Sequence, residues 1–269
     1  MNIQKTILVI TCIATLLACN SKDKKTITPS STETETENTS QVIEPSKAEL
    51  ILNQSIEAHG GDLYDTAQYA FVFRGNNYQF INDGKNYEYS KTSKKGNVIT
   101  KDVLKNGKFS RTVNGEPVEP TEKAIKGGTG AINSVIYFAT LPHKLNDASV
   151  NKTYVGETTI KGEKYTVLGV TFKQEGGGED FDDEYHYWIH TETHQVDYLA
   201  YNYKVNNGGV RFRSAYNKRV VDGVTFQDYI NYEAELNTAL KDLPALYEAG
   251  NLKELSKIDT EDVVNLKNK

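Results

Sequence analysis

Cysteine is nearly missing from this chain: Cys12 and Cys19 are the only two in 269 residues, and nothing after position 19 carries a thiol. Such a body has neither a disulfide framework nor a cysteine-ligated zinc site, so its core alone must hold it together. At 38% hydrophobic the chain can bury one substantial core, which argues for a single domain. Long apolar runs are missing too. The stretch Ile7 to Leu17 is too brief to span a bilayer, and nothing after residue 19 is long and apolar enough to do so. There is no basic excess, since 31 Lys and Arg stand against 36 Asp and Glu. A mildly acidic body lacks the electrostatic footprint of a nucleic-acid or anionic-lipid binder. Reaction motifs are likewise absent after Cys19: there is no Gly-x-Ser-x-Gly elbow and no His-Glu-x-x-His. Gly127-Gly128-Thr129-Gly130 lacks the Lys-Ser/Thr of a phosphate loop and reads as a hinge or break in a helix. No catalytic residue, metal ligand set or cofactor is named by these residues.

What is present begins with an address. Lys5 gives a short positive start, the apolar run follows, and Leu16-Leu17-Ala18-Cys19 resembles a lipobox. In a chain carrying one, the thiol receives a diacylglycerol and cleavage makes the cysteine the first residue. Cys19 is therefore the expected lipid attachment point, and residues 1–18 the expected signal peptide. Lys5 is the only charge removed, leaving 30 basic against 36 acidic residues, net −6. Residues 19–46 read as lipidated cysteine and disordered tether: Thr, Ser, Glu and Lys dominate, with too few apolar groups to offset the entropy of ordering. As a flexible coil that tether spans about 30 Å. The partner this implies is a membrane, reached through the lipid, in the cell envelope and at the outer membrane.

Residues 47–269 read as one α+β domain. Ser46 is a plausible N-cap for a helix with Leu50, Ile51, Ile56 and Ala58 on one face, stopping at Gly60-Gly61. The period then becomes two. Tyr69, Phe71 and Phe73, then Tyr78 and Phe80, then Tyr87 and Tyr89 alternate as strand residues do. Asp83-Gly84, Asn106-Gly107, Lys161-Gly162, Asn207-Gly208-Gly209 and Asp222-Gly223 punctuate them, the chemistry of tight hairpins in an antiparallel meander. Thr121 to Leu141 is a helical insertion with Ile132, Val135, Ile136 and Ala139 on one face. The tail from Ala234 reads as loop and short helices, Leu243 to Ala249 and Leu252 to Ser256.

Ala58-His59-Gly60-Gly61, Leu141-Pro142-His143-Lys144-Leu145 and the hairpin Tyr187-Trp188-Ile189-His190 through Asp197-Tyr198-Leu199 carry a resemblance. Together they look like an uncharacterised lipoprotein family of Bacteroidetes, similar in layout to the LolA/LolB-like lipoprotein carriers, over residues 47 to 262. The resemblance implies a large curved antiparallel β-sheet, a half-barrel with an N-terminal helix and a central helical insertion, whose concave side can hold acyl chains.

Pairing residue 188 with residue 197, and the next hairpin about Asn207-Gly208, puts Trp188, Leu199, Tyr201, Tyr203, Phe212 and Tyr216 on one face, the candidate binding face for a lipid or other apolar ligand. The other face is partly apolar as well, so a bulge near Ala200 or a sheet covered on both sides stays open. Filling of the core by these aromatics is the plainer reading. His186, His190 and His194 would align only on a helix, and on a hairpin they read as solvated. The acidic stretch Gly176 to Glu184 reads as a connecting loop, and His59 as a cationic helix cap. Two further functions compete with a ligand-binding module: an interaction lipoprotein with a filled core and an unknown protein partner, and a metal-dependent enzyme.

Overall fold

The computed structural model describes residues 44–173, 175, 183–204 and 207–268. Cys19, the expected tether up to residue 43 and residues 176–182 of the acidic stretch lie outside the described residues. From Glu44 on the chain forms one compact unit. Every ladder and buried cluster described below is internal to that unit.

Helix α1 (Lys47–Ala58) starts on a capping box: Glu49 N–H donates to Ser46 Oγ, and Ser46 N–H to the Glu49 carboxylate at 2.7 Å. Its buried residues are Ala48, Leu52 and Ser55, with Ile51 and Ile56 packed beside them. Leu50, expected on that face, is half exposed.

Six strands follow as hairpins: β1 (Gln68–Phe73), β2 (Asn76–Asp83), β3 (Asn86–Lys95), β4 (Val98–Lys105), β5 (Lys108–Val113) and β6 (Glu116–Val118). The alternating aromatics bury as the period requires, Tyr69, Phe71, Tyr78, Phe80 and Tyr89 among them. Helix α2 (Glu122–Ala139), N-capped by Thr121, then leads to β7 (Val150–Ile160), β8 (Glu163–Phe172), β9 (Glu184–His190), β10 (Val196–Tyr203), β11 (Gly209–Val221) and β12 (Val224–Ala234). The short helix α3 (Leu243–Glu248) precedes β13 (Lys253–Ile258) and β14 (Glu261–Asn265). All the expected turn signals lie between paired strands. At Asn106-Gly107, Lys161-Gly162 and Asp222-Gly223 both residues have positive φ, the geometry that matches strand twist. Arg74-Gly75 and Asn114-Gly115 do the same work unannounced.

The fold is α+β, with antiparallel strands in two open seven-stranded sheets, ordered β14-β1-β2-β3-β4-β5-β6 and β13-β12-β11-β10-β9-β8-β7. Each sheet is a meander extended at one edge by a tail strand. The segment expected as a helix at Leu252 to Ser256 is instead β13, which pairs with β12 before the chain crosses to pair β14 with β1. Unused edge hydrogen bonds on β12 and β1 outweigh the weak helical pattern of the tail. The crossover is tied by Asp228, whose carboxylate accepts from Thr260 N–H and hydroxyl, both at 2.8 Å, and from Arg219 and Asn217.

Three clusters make the core. Leu52, Leu145, Leu168, Tyr187 and Leu199 pack between α1 and the second sheet. Ile132 and Ile136 of α2 pack with Phe71, Phe80, Leu104 and Phe226 over the first. On the far side of the second sheet Trp188, Tyr198 and Phe212 pack under Leu240 and Leu243 of the tail. The second sheet is thus covered on both faces. The glycines at 127, 128 and 130 do not break α2, which runs unbroken through them. A Cβ on Gly128 would sit 2.6 Å from the Phe109 ring, so one of them is a point of close approach rather than a hinge.

Candidate functional site

Helix α2 does more than cover the first sheet; its last turns also reach the second. There Ser134, Val135, Phe138 and Ala139 face Arg213 of β11, Gln227, Tyr229 and Asn231 of β12, and Ile258 at the end of β13, with Phe73 and Arg74 closing one side. Together they line a partly open cavity of about 220 Å³. Its walls are mixed, with Phe73, Val135, Phe138 and Ile258 apolar, two arginines cationic, and no carboxylate among them.

Arg213 is buried, 7% exposed. Its guanidinium lies 3.9 Å over the Phe138 ring and donates to the Tyr201 hydroxyl at 3.0 Å. Its Nε has no hydrogen-bond partner among the described residues, nor have Gln227 Oε1 and Asn231 Oδ1. Three orphaned polar atoms on residues that line one small cavity are unusual, since buried donors and acceptors are nearly always paired. The Gln227 amide is firmly placed: its nitrogen donates to the Val196 carbonyl at 2.8 Å and to the Tyr229 hydroxyl at 2.6 Å. Its oxygen is therefore the acceptor turned away from both. Burial pushes the Tyr229 phenol up to about 12, and the Tyr187 phenol, paired with Tyr137 at 2.8 Å, well above its ordinary value. Both hydroxyls stay protonated.

A wider cleft of about 810 Å³ lies at the end of β10 and β11, lined by Glu184, His186, Asn202, Tyr203, Lys204 and the segment Leu236 to Lys241. It is the more open of the two and adjoins residues outside those described, so the narrower cavity beneath α2, with its buried arginine, is the stronger candidate.

The six aromatic and aliphatic candidates do not share a face. Residue 197 is the extra residue of a bulge, so Trp188 lies opposite Tyr198 rather than Asp197. In the next hairpin Tyr203 pairs with Gly209, not Phe212, because a close approach begins the strand there: a Cβ on Gly209 would sit 2.5 Å from the Tyr203 ring. These offsets leave Trp188 and Phe212 together under the C-terminal tail, rings 5.7 Å apart. Leu199, Tyr201 and Tyr203 lie on the opposite side. None of the six lines the cavity, but Tyr201 touches its wall, holding Arg213 and packing 5.8 Å from Phe138. Tyr216 bonds instead to Asp259 near the crossover. Arg213, Gln227 and Phe138 were missed; the true register puts Arg213 on the Leu199 face, and a cation at an inward strand position was the signal available.

The histidines are separate. His186 is buried edge-on to Trp188, His190 Nδ1 accepts from Glu192 and Thr193 N–H, and His194 sits in the turn with φ of 56°. Among the described residues no three His, Cys, Asp or Glu side chains gather as a metal site. His59 does end α1, yet not as a cation. It is fully buried and burial lowers its pKa to about 4, so it is neutral at pH 7. Its Nδ1 lies 2.7 Å from the Ser55 carbonyl, while its own carbonyl accepts from Thr225 N–H at 3.0 Å. His143, stacked on Tyr64 at 4.1 Å, is lowered to about 4 by the same cause. Ala58-His59-Gly60-Gly61 is therefore a joint between α1 and the β11–β12 hairpin, where a Cβ on Gly60 would meet the Gly223 carbonyl at 2.9 Å.

The chain belongs to DUF6503, a family of unknown function, whose model matches residues 5–260. No curated protein matches it. Among solved structures it is similar to the LolA superfamily protein NE2245 from Nitrosomonas europaea, at 12% identity and a TM-score of 0.48, covering 81% of this chain and 93% of that one. A DUF1329 family protein from Desulfovibrio piger gives 11% and 0.40, covering 82% and 94%. A putative outer membrane lipoprotein-sorting protein domain from Vibrio parahaemolyticus gives 6% and 0.39, covering 76% and 85%.

Proposed function

We propose that this DUF6503 member is an envelope lipoprotein, anchored through a lipidated Cys19, whose folded body takes up one apolar or amphiphilic ligand beneath α2. The observation that carries the reading is the partly open cavity between α2 and the second sheet, with Phe73, Val135, Phe138 and Ile258 as its apolar walls. At about 220 Å³ it is smaller than the roughly 300–1,000 Å³ usual for ligand sites, so a long acyl chain requires α2 to move outward. That helix is lightly held: of its 18 residues only Ile132 and Ile136 are fully buried, and its three glycines each cost about 1 kcal/mol of helix propensity relative to alanine. Lipid attachment and a tether about 30 Å long would keep the body near a membrane source of ligand.

Residues 44–269, which hold every described element, are the material for the test. Native mass spectrometry of this body should show an added lipid mass, and a fluorescent fatty acid should bind it with one-to-one stoichiometry. Absence of any added mass together with no uptake of the fatty acid contradicts the reading.

A further inference from the structure

We propose that the cavity beneath α2 selects an anionic amphiphile, with Arg213 as receptor for the carboxylate of a single-chain fatty acid and Gln227 as acceptor for a hydroxyl beside it. The proposal rests on the ligand-binding reading above and adds the chemistry of the headgroup.

Charge is the first argument. The chain as a whole is acidic, net −5, yet this cavity is lined by Arg74 and Arg213 with no carboxylate opposite them. The other arginines on the strands are paired across the sheets, Arg111 with Asp102, Arg211 with Glu233 and Arg219 with Asp228. Arg213 is more buried than any of these and is held only by neutral groups, the Phe138 ring and the Tyr201 hydroxyl. A guanidinium does not shed its proton, so this is a fixed cation taken out of water without a counter-ion. Its leftover donor, Nε, belongs to the planar fork that suits a carboxylate.

Acceptors supply the second argument. Gln227 Oε1 cannot be exchanged with its nitrogen, because that nitrogen already donates to the Val196 carbonyl. With Asn231 Oδ1 it leaves two unmatched buried acceptors on residues that line the same cavity as the cation. A plain carboxylate brings no donor to them, whereas a hydroxy acid does. The apolar wall of Val135, Phe138 and Ile258 then takes the chain.

The experiment is calorimetric titration of residues 44–269 with octanoate, 3-hydroxyoctanoate, 1-octanol and inorganic phosphate. Octanoate should bind at least tenfold more tightly than octanol, 3-hydroxyoctanoate more tightly still, and phosphate much more weakly than either acid. Arg213→Met should erase the preference for acid over alcohol, and Arg213→Lys should keep part of it. The ratio in the unaltered chain stands by itself if the methionine variant fails to fold. Equal affinity for octanoate and octanol overturns the anion assignment and leaves the apolar-ligand reading intact. Phosphate binding as tightly as octanoate overturns the fatty acid in favour of a bare anion. No binding by any of the three eight-carbon probes overturns both readings, and no gain from the 3-hydroxyl overturns the part given to Gln227.

Discussion

The guanidinium carbon of Arg213 lies over the ring of Phe138, 3.9 Å from its centre, and so couples the second sheet to the last turns of α2. Phe138 offers the cation a negative π-face in place of water, and the cation fixes where the helix rests. Phe138→Ala should lower the stability of the body by about 2 kcal/mol, from a part-buried ring and a lost cation–π contact. Urea unfolding measures this. An unchanged midpoint would mean that α2 is not held through this pair.

The glycines of α2 give a second expectation with opposite signs at neighbouring positions. A Cβ at Gly127 or Gly130 would meet nothing within 4 Å, so alanine at either should stabilise the helix by up to about 1 kcal/mol. At Gly128 the Phe109 ring must be displaced, which cancels that gain. If α2 moves to admit ligand, Gly127→Ala with Gly130→Ala should also slow fatty-acid uptake in stopped-flow fluorescence. Faster uptake in the double variant would contradict a moving α2.

Much of the fold is legible in the sequence. Tight hairpins follow from local φ preferences that a dipeptide such as Asn-Gly carries by itself, and the aromatic alternation in β1 to β3 shows burial directly. The strands β13 and β14 were hidden because the tail is an edge addition: Lys253, Glu254, Leu255 and Lys257 are all exposed, so no inward period marks them. The cavity was hidden by register. A bulge at Asp197 and a strand that begins at Gly209 each move side chains across the sheet, and neither leaves a trace in hydropathy. The pairing of Phe138 with Arg213, 75 positions apart in sequence, exists only once those registers are known.

Acid should destabilise the body before carboxylates titrate. His59 and His143 have folded values lowered to about 4 from 6.5, chiefly by burial. Between those values the unfolded chain binds protons that the folded one refuses, so stability rises with pH across the window and is lost as pH falls through it. The stability at stake is on the order of 3 kcal/mol per histidine, fully present above pH 6.5 and lost by about pH 4. Chemical denaturation at intervals from pH 7.5 to 4 should trace it, and His143→Phe, which keeps a ring against Tyr64, should remove about half. Stability independent of pH over that range would show that the two imidazoles are not held neutral.

The anchor proposed at Cys19 is independent of the fold. Cys19→Ala should abolish incorporation of labelled fatty acid and release or strand the chain, while residues 44–269 keep their unfolding midpoint. Labelling and membrane fractionation like those of the unaltered chain would remove the lipoprotein assignment.

The central claim is that a ligand chain lies beneath α2, against the second sheet. Carbon-13-labelled octanoate bound to residues 44–269 should give intermolecular nuclear Overhauser contacts to the methyl groups of Val135 and Ile258. Contacts confined to Leu240 and Leu243 under the C-terminal tail, or to no buried methyl at all, would contradict it.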